Sequence, residues 1–299
     1  MEQRQLGRTG LYVSALGFGA SEIGYQGVAL KTVQRLINSA LDAGLNVIDT
    51  AACYDSSEEL IGRAAGKRRK DFYIFTKCGH ASGLDADDWT PALVEKSIAR
   101  SLKRLRTDYL DLVQFHSCEE ETLRRGDVTA ALQRARDQGL TRFIGYSGDG
   151  AAALYAARSG AFDTLQMSIN IADQEAIDLV LPEAISRNIG VIAKRPIANA
   201  SWIGGWNGPI DSYSEPYRRR LRKLRYDFLG LPANDSIGIA LRFTLSVPGV
   251  HTAIMGTTKP SRWEGNAALP ERGPLTLAEF DAIRSRWNEA APADWIGLR

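Results

Sequence analysis

The sequence lacks the features of disulfide-stabilised and zinc-binding proteins. Its only cysteines are Cys53, Cys78 and Cys118, an odd number without a Cys-x-x-Cys or Cys/His spacing. This pattern argues against a disulfide framework and against a structural zinc site. The sequence therefore predicts reduced thiols and no metal.

Long apolar runs and an excess of one charge are also missing. No run approaches the roughly 20 apolar residues that a membrane helix needs, and the first residues lack the basic-then-apolar order of a secretory signal. The 37 Lys+Arg and 35 Asp+Glu nearly cancel, so no overall field favours nucleic acid or anionic lipid. We expect a cytoplasmic protein whose partners are small molecules, with neither nucleic acid nor a membrane among them; the oligomeric state stays open.

What the sequence does contain is an alternation of short β-type runs with helix-length segments, which is typical of a parallel sheet with crossover helices. Length alone leaves one large barrel and two average domains open. The predicted strands share an apolar character suited to burial on both faces. They are residues 14–19, 46–50, 72–76, 110–115, 143–147, 164–169, 190–193 and 252–255.

Several segments between and around these strands have patterns of their own. Helical spacing predicts helices over residues 30–43, 91–105 and 173–186, the second capped by Thr90. Residues 5–13 predict a hairpin, turning around Gly7 to Gly10, that plugs one end of a barrel.

Two later segments follow the seventh predicted strand. The irregular stretch 199–216 is long enough to indicate a functional loop, and its Trp202 and Trp206 either line a cleft or pack within the loop. Residues 218–225 hold six basic side chains, which suits a nucleic acid or a polyphosphate. The spacing of Leu221 and Leu224 favours instead an amphipathic helix with its charges in water.

Polar residues follow three successive predicted strands. Asp49 ends one of them, Tyr54 lies in the loop after it, and Lys77 and His116 follow the next two. In a barrel the active site lies at the carboxyl ends of the strands, so these four side chains are expected around one rim. The set suits proton transfer: Tyr54 as the acid, Lys77 lowering its pKa, Asp49 holding Lys77, and His116 orienting a substrate oxygen.

None of these four side chains donates a hydride well, so a redox function requires a cofactor. Two loops are suited to one: residues 147–150 after the fifth strand and 256–262 after the eighth, where the latter leads into a helix. Free backbone amides and the positive end of a helix attract phosphate at such loops. A Schiff-base lyase that uses Lys77 is the alternative chemistry, but it needs a deprotonated lysine.

The segment 44–62, which carries Asp49 and Tyr54, resembles the catalytic segment of the aldo-keto reductases, and residues 6–19 resemble the family's hairpin and first strand. The likeness extends over residues 5–266. It implies a single-domain (β/α)8 TIM barrel over residues 1–299 with an N-terminal β-hairpin. It also implies hydride transfer from NADPH to an aldehyde or ketone, or the reverse reaction on an alcohol, with Tyr54 giving the proton.

The resemblance also implies the cofactor contacts. They are Ser147, Gln166, Lys194, Arg195, Gly256, Thr257, Thr258, Arg262 and Asn266. An arginine near the adenosine end favours a 2′-phosphate, so NADP(H) is predicted, with NAD(H) possible in principle. The chain departs from the common family pattern at Gly148, Lys194 and Gly256. Some family members are nicotinamide-binding regulatory subunits of ion channels, which leaves a binding protein with little turnover as the alternative function.

Overall fold

A computed structural model describes residues 1–298. Eight parallel strands close into a barrel in the order β10-β3-β4-β5-β6-β7-β8-β9, and β1 and β2 form a separate antiparallel hairpin. The strands are β1 Gln3–Gln5, β2 Tyr12–Ser14, β3 Leu16–Gly19, β4 Val47–Asp49, β5 Tyr73–Cys78, β6 Leu110–His116, β7 Thr141–Ser147, β8 Thr164–Ser168, β9 Gly190–Lys194 and β10 Thr252–Gly256. The predicted barrel fold with its N-terminal hairpin is confirmed.

Helices surround the barrel. They are α1 Ser21–Tyr25, α2 Leu30–Asp42, α3 Ser57–Ala65, α4 Pro91–Leu105, α5 Glu120–Arg125, α6 Asp127–Asp137, α7 Gly150–Ser159, α8 Glu175–Leu179, α9 Leu181–Ser186, α10 Glu215–Leu224, α11 Ala233–Ser246, α12 Pro260–Ala268 and α13 Leu277–Ala290. Within residues 1–298, none of them combines the length and apolar character that crossing a bilayer requires.

Helix α4 shows how directly local sequence sets an element. The Thr90 side chain accepts a hydrogen bond from the Leu93 amide, and Pro91 occupies the first helical position. The proline has no N–H to leave unsatisfied there, and its φ suits a helix. The predicted bounds of this helix are therefore confirmed at both ends.

Two predicted elements are divided in the structure. Residues 14–19 are divided between two strands: β2 ends at Ser14 and β3 begins at Leu16. They are separate because β2 pairs with β1 in the hairpin and β3 pairs with β10 in the barrel. Residues 173–186 form the separate helices α8 and α9, broken at Val180. Pro182 lies in the first turn of α9 and cannot donate an i to i−4 hydrogen bond, so one continuous helix is disfavoured.

The hairpin closes the amino-terminal end of the barrel as predicted. Leu6, Leu11 and Val13 pack onto an apolar layer of the interior. That layer consists of Val47, Phe75, Leu112, Ile192 and Ile254. The turn at Gly7 has a φ of +49°, and a Cβ there would lie 2.3 Å from the Gly190 nitrogen, so only glycine permits this close approach. The amino-terminal end of the barrel is thereby filled with apolar side chains.

Candidate active site

The structure brings the four predicted catalytic residues together at the carboxyl-terminal rim. Asp49 and His116 are the last residues of β4 and β6, and Lys77 lies within β5. Strands β5 and β6 are therefore longer than predicted and carry Lys77 and His116 on rigid backbone. Tyr54 lies in a tight turn after β4, in which its amide donates to the Ala51 carbonyl at 3.0 Å.

A buried chain of hydrogen bonds holds the base of this site. Lys77 Nζ donates to Asp49 Oδ1 at 2.5 Å and to the Thr50 carbonyl at 2.8 Å. Gln166 Nε2 donates to the other Asp49 oxygen at 2.9 Å, and Ser147 Oγ donates to Gln166 Oε1 at 3.0 Å. The Lys77 amine is engaged by a carboxylate and a carbonyl, which argues against a role as a free Schiff-base nucleophile.

The phenol of Tyr54 lies next to this set of hydrogen bonds, on the side of Lys77. Lys77 Nζ is 5.2 Å from the centre of its ring, and the Tyr25 ring packs edge-on at 5.6 Å. Its hydroxyl makes no hydrogen bond within residues 1–298. Burial, and then the charge of Asp49, raises the pKa of Tyr54 well above its ordinary value. Burial therefore outweighs the lowering of this pKa by Lys77 that the sequence predicts, because Lys77 is paired with Asp49.

The imidazole of His116 is the next neighbour of that phenol, with the two ring centres 5.5 Å apart. Burial, and then the charge of Lys77, lowers the pKa of His116 well below its ordinary value. Cys53 Sγ lies 3.2 Å from His116 Nδ1. His80 Nε2 donates to the His116 carbonyl at 3.0 Å. The sequence identifies neither Cys53 nor His80 as a neighbour of His116, because nothing in one sequence signals either contact.

The predicted cofactor contacts after the last strand lie on one part of the rim. Gly256 ends β10 in an exposed position, and the buried Thr257 accepts the Lys259 amide at 3.1 Å. Thr258 follows in the same loop. Arg262 and Asn266 project from α12, which begins after Lys259 without a side-chain cap. No side chain caps this helix, but Pro260 has no N–H and the Arg262 amide donates to the Lys259 carbonyl at 3.1 Å, so few of its first amides are available to an anion.

At the end of β9, the strand that pairs with β10, Lys194 and Arg195 are already engaged. Lys194 Nζ pairs with Asp149 at 2.8 Å, and Arg195 Nε donates to the Tyr213 hydroxyl at 2.6 Å. Arg195 also donates to the Leu298 carbonyl. That carbonyl belongs to the C-terminal tail, residues 292–298, which follows α13 and lies across the ends of β7 to β9.

Specific contacts anchor this tail. Its Leu298 carbonyl also accepts from Ser168 Oγ at 3.1 Å, and its Gly297 amide donates to Glu175 at 3.2 Å. A Cβ on Gly297 would lie 2.5 Å from the Asp149 carboxyl carbon. The tail and the Lys194–Asp149 pair are therefore packed against each other without spare room.

The basic segment 218–225 is expected to form an amphipathic helix with its charges in water, and Arg220 departs from that expectation. Leu221 and Leu224 are buried on the barrel side of α10, as expected, but Arg220 is buried too. It pairs with Asp173 and donates to the Ile296 carbonyl of the tail at 2.7 Å. Its partner comes from a segment 47 residues away, which no local pattern indicates. Trp202 is also buried, and donates to Ser236 at 3.1 Å.

A closed parallel barrel with an acid–base cluster at its carboxyl-terminal rim has the arrangement of a (β/α)8-barrel enzyme. Residues 15–288 match the Aldo/keto reductase family, and the chain belongs to that family.

Individual relatives agree with this assignment. The chain is 30% identical to L-galactose dehydrogenase of Arabidopsis thaliana, over 95% of this chain and 94% of that protein. It is 29% identical to a probable voltage-gated potassium channel subunit beta of the same plant, over 95% and 96%. An aldo-keto reductase structure from Bacillus halodurans, in its holo form, superposes with a TM-score of 0.82 at 24% identity, over 98% and 99%, which supports the fold. The family assignment makes an oxidoreductase acting on small carbonyl compounds the general function.

Proposed function

We propose that this protein is an NADP-dependent oxidoreductase that reduces an aldehyde or ketone, with Tyr54 as the proton donor. The observation that carries the proposal is the convergence of Tyr54 and His116 above the buried Lys77–Asp49 pair, which are joined at 2.5 Å. Groups of these types at one rim support proton transfer to a substrate oxygen.

Each residue has a role in that transfer. Tyr54 keeps its proton at neutral pH because its pKa is raised, and it donates when negative charge develops on the substrate oxygen. The Lys77 ammonium then stabilises the phenolate that remains, and Asp49 keeps Lys77 in place. His116 is neutral because its pKa is lowered, so it orients the substrate oxygen as a hydrogen-bond donor.

The residues at the rim suit a nicotinamide dinucleotide, which supplies the hydride when bound. Ser147 and Gln166 are linked at 3.0 Å beside the proton-transfer site, where amide and hydroxyl groups suit a carboxamide. The exposed guanidinium of Arg262 in the first turn of α12 suits phosphate. In this proposal Gly256, Thr257, Thr258 and Asn266 line the adenosine side, in keeping with their place around α12.

Lys194 and Arg195 lie at the end of β9, next to the end of β10. They would contact the cofactor only by exchanging their contacts to Asp149 and to the Leu298 carbonyl. Their contribution to affinity is therefore expected to be smaller than that of Arg262.

The test is a fluorescence titration with NADPH and NADH, followed by turnover assays with a panel of aldehydes and ketones. Tyr54→Phe should bind NADPH like the wild type and lose about 10²-fold to 10⁴-fold in kcat. Tyr25→Phe is the matched control, since it removes a neighbouring hydroxyl that is exposed and reaches only the Cys53 carbonyl at 3.4 Å. Near-normal turnover of Tyr54→Phe would contradict the proton-donor role.

A nicotinamide-binding regulatory subunit is the competing function, because a relative is a probable potassium channel subunit beta. NADPH binding without turnover on any panel member, together with a stable complex with a larger partner on gel filtration, would favour it. Failure to bind either nucleotide would contradict both functions.

A further inference from the structure

The side chain that faces the inner nitrogen of His116 is a thiol. Cys53 Sγ lies 3.2 Å from Nδ1, and no other hydrogen bond reaches the His116 ring within the described residues 1–298. His80 donates to the backbone carbonyl of His116 and not to a ring nitrogen, and its own ring packs edge-on against the imidazole with the ring centres 5.6 Å apart. Cys53 is therefore placed to decide which ring nitrogen carries the proton.

The backbone aims this thiol at the imidazole. Cys53 and Tyr54 share the turn that the Tyr54 amide closes on the Ala51 carbonyl, and both contact His116. The Tyr25 hydroxyl donates to the Cys53 carbonyl at 3.4 Å from the open side. The imidazole therefore contacts two residues that are adjacent in sequence.

The tautomer matters for the chemistry. A neutral imidazole has one N–H, and the nitrogen without it can only accept a hydrogen bond. To orient a carbonyl oxygen, His116 must donate from Nε2, so Nδ1 must accept. A thiol that donates to Nδ1 enforces this arrangement, whereas a thiol that accepts from Nδ1 enforces the opposite one.

We propose that Cys53 is a positioning residue whose S–H donates to His116 Nδ1 and so keeps the Nε2–H tautomer that a carbonyl substrate requires. The charge states agree with this direction. Burial raises the pKa of Cys53 above its ordinary value, so the sulfur keeps its hydrogen, and the lowered pKa of His116 leaves a lone pair on its ring. A thiolate–imidazolium pair of the kind that acts as a nucleophile is disfavoured for the same reasons.

This inference rests on the proposed function for the reason why the Nε2–H tautomer is useful. The tautomer itself can be measured without turnover. A long-range proton–nitrogen NMR spectrum of ring-labelled protein reports which nitrogen of each histidine is protonated. The chain has three histidines, so a His116→Gln variant assigns the His116 signals by their disappearance. We expect Nε2–H in the wild type, a mixture of tautomers in Cys53→Val, and Nε2–H again in Cys53→Ser.

The control is Cys118→Val, which replaces a buried thiol two residues after His116 and should leave the His116 tautomer unchanged. If the protein proves active, Cys53→Val should lower kcat by about tenfold, the effect of one hydrogen bond, without changing NADPH affinity, and Cys53→Ser should recover most of it. An Nδ1–H tautomer in the wild type, or an unchanged Nε2–H tautomer in Cys53→Val, would overturn the proposal. Absence of turnover with the expected tautomers would instead count against the proposed function alone.

Discussion

The rim of the barrel holds two lysine–carboxylate pairs that are alike locally and different in their surroundings. Lys77 of β5 is joined to Asp49 at 2.5 Å, and Lys194 of β9 is joined to Asp149 at 2.8 Å. Both carboxylates are buried, and both also accept a hydrogen bond from β8, through the Gln166 side chain and the Ser168 amide.

What faces each pair is different. Above Lys77 lies Tyr54, whose hydroxyl has no partner within residues 1–298, next to a neutral imidazole. Against Asp149 lies Gly297 of the C-terminal tail, in contact with the protein's own backbone. A buried ion pair is therefore no sign of catalysis by itself; its role depends on whether a reactive group or the chain's own backbone lies against it.

Replacing each lysine by methionine is the most direct way to break this comparison. Lys77→Met should lower kcat by about 10²-fold or more, because the phenolate of Tyr54 loses its cation. Lys194→Met should act mainly on NADPH affinity and stability, with a much smaller effect on kcat. Each change leaves a buried carboxylate unpaired, which costs about 3–5 kcal/mol of unfolding free energy, so circular dichroism melts must accompany the kinetics. Equal losses of kcat in the two variants would show that the pairs do not differ as we infer.

The second prediction concerns the tail. In Gly297→Ala the added Cβ would lie 2.5 Å from the Asp149 carboxyl carbon, so the tail should detach. Because a segment that loses its packing opens locally, the exchange of the Gly297 and Leu298 amides should quicken by about tenfold or more while global stability falls by only about 1 kcal/mol. Hydrogen exchange followed by mass spectrometry measures the first effect. Gly66→Ala is the control, since its Cβ would have nothing within 4 Å; protected tail amides in Gly297→Ala would contradict the packing described.

The smallest expected effect is that of pH on kcat/KM, through the titration of Tyr54 and His116. The pKa of Tyr54 is raised from 10.0 and that of His116 is lowered from 6.5. The proton on Tyr54 is therefore lost only above pH 10, and His116 becomes charged only below pH 6.5. A profile of kcat/KM should be flat between these values, and an inflection near pH 7 to 8 that disappears in His116→Gln would show that one of these directions is wrong.

Much of this site was predictable because its signals are local. Each barrel strand is a short apolar run, and the polar residue at its carboxyl end marks the rim, so Asp49, Lys77 and His116 could be identified before the structure. The cap at Thr90 and Pro91 likewise defines α4 without reference to its neighbours. The prediction that Ser147 and Gln166 lie close together depended on the resemblance to the family, and the structure joins the two side chains by a hydrogen bond.

The contacts that escaped prediction join residues far apart in the chain. Arg220 is buried against Asp173, although the pattern of α10 indicates a solvated charge. Cys53 meets His116 from 63 residues away, and its thiol gives no local signal of that meeting. Packing decides such contacts, and packing depends on the whole chain.

By itself the sequence determined the periodic apolar pattern that closes the barrel and the order in which Asp49, Tyr54, Lys77 and His116 reach its rim, because strand burial and strand ends are properties of neighbouring residues. Only the tertiary structure decided which charges are paired, that Tyr54 and His116 have their pKa values shifted by burial, and that the tail covers Asp149. These depend on distances and on exclusion of water, which exist only once the barrel has formed.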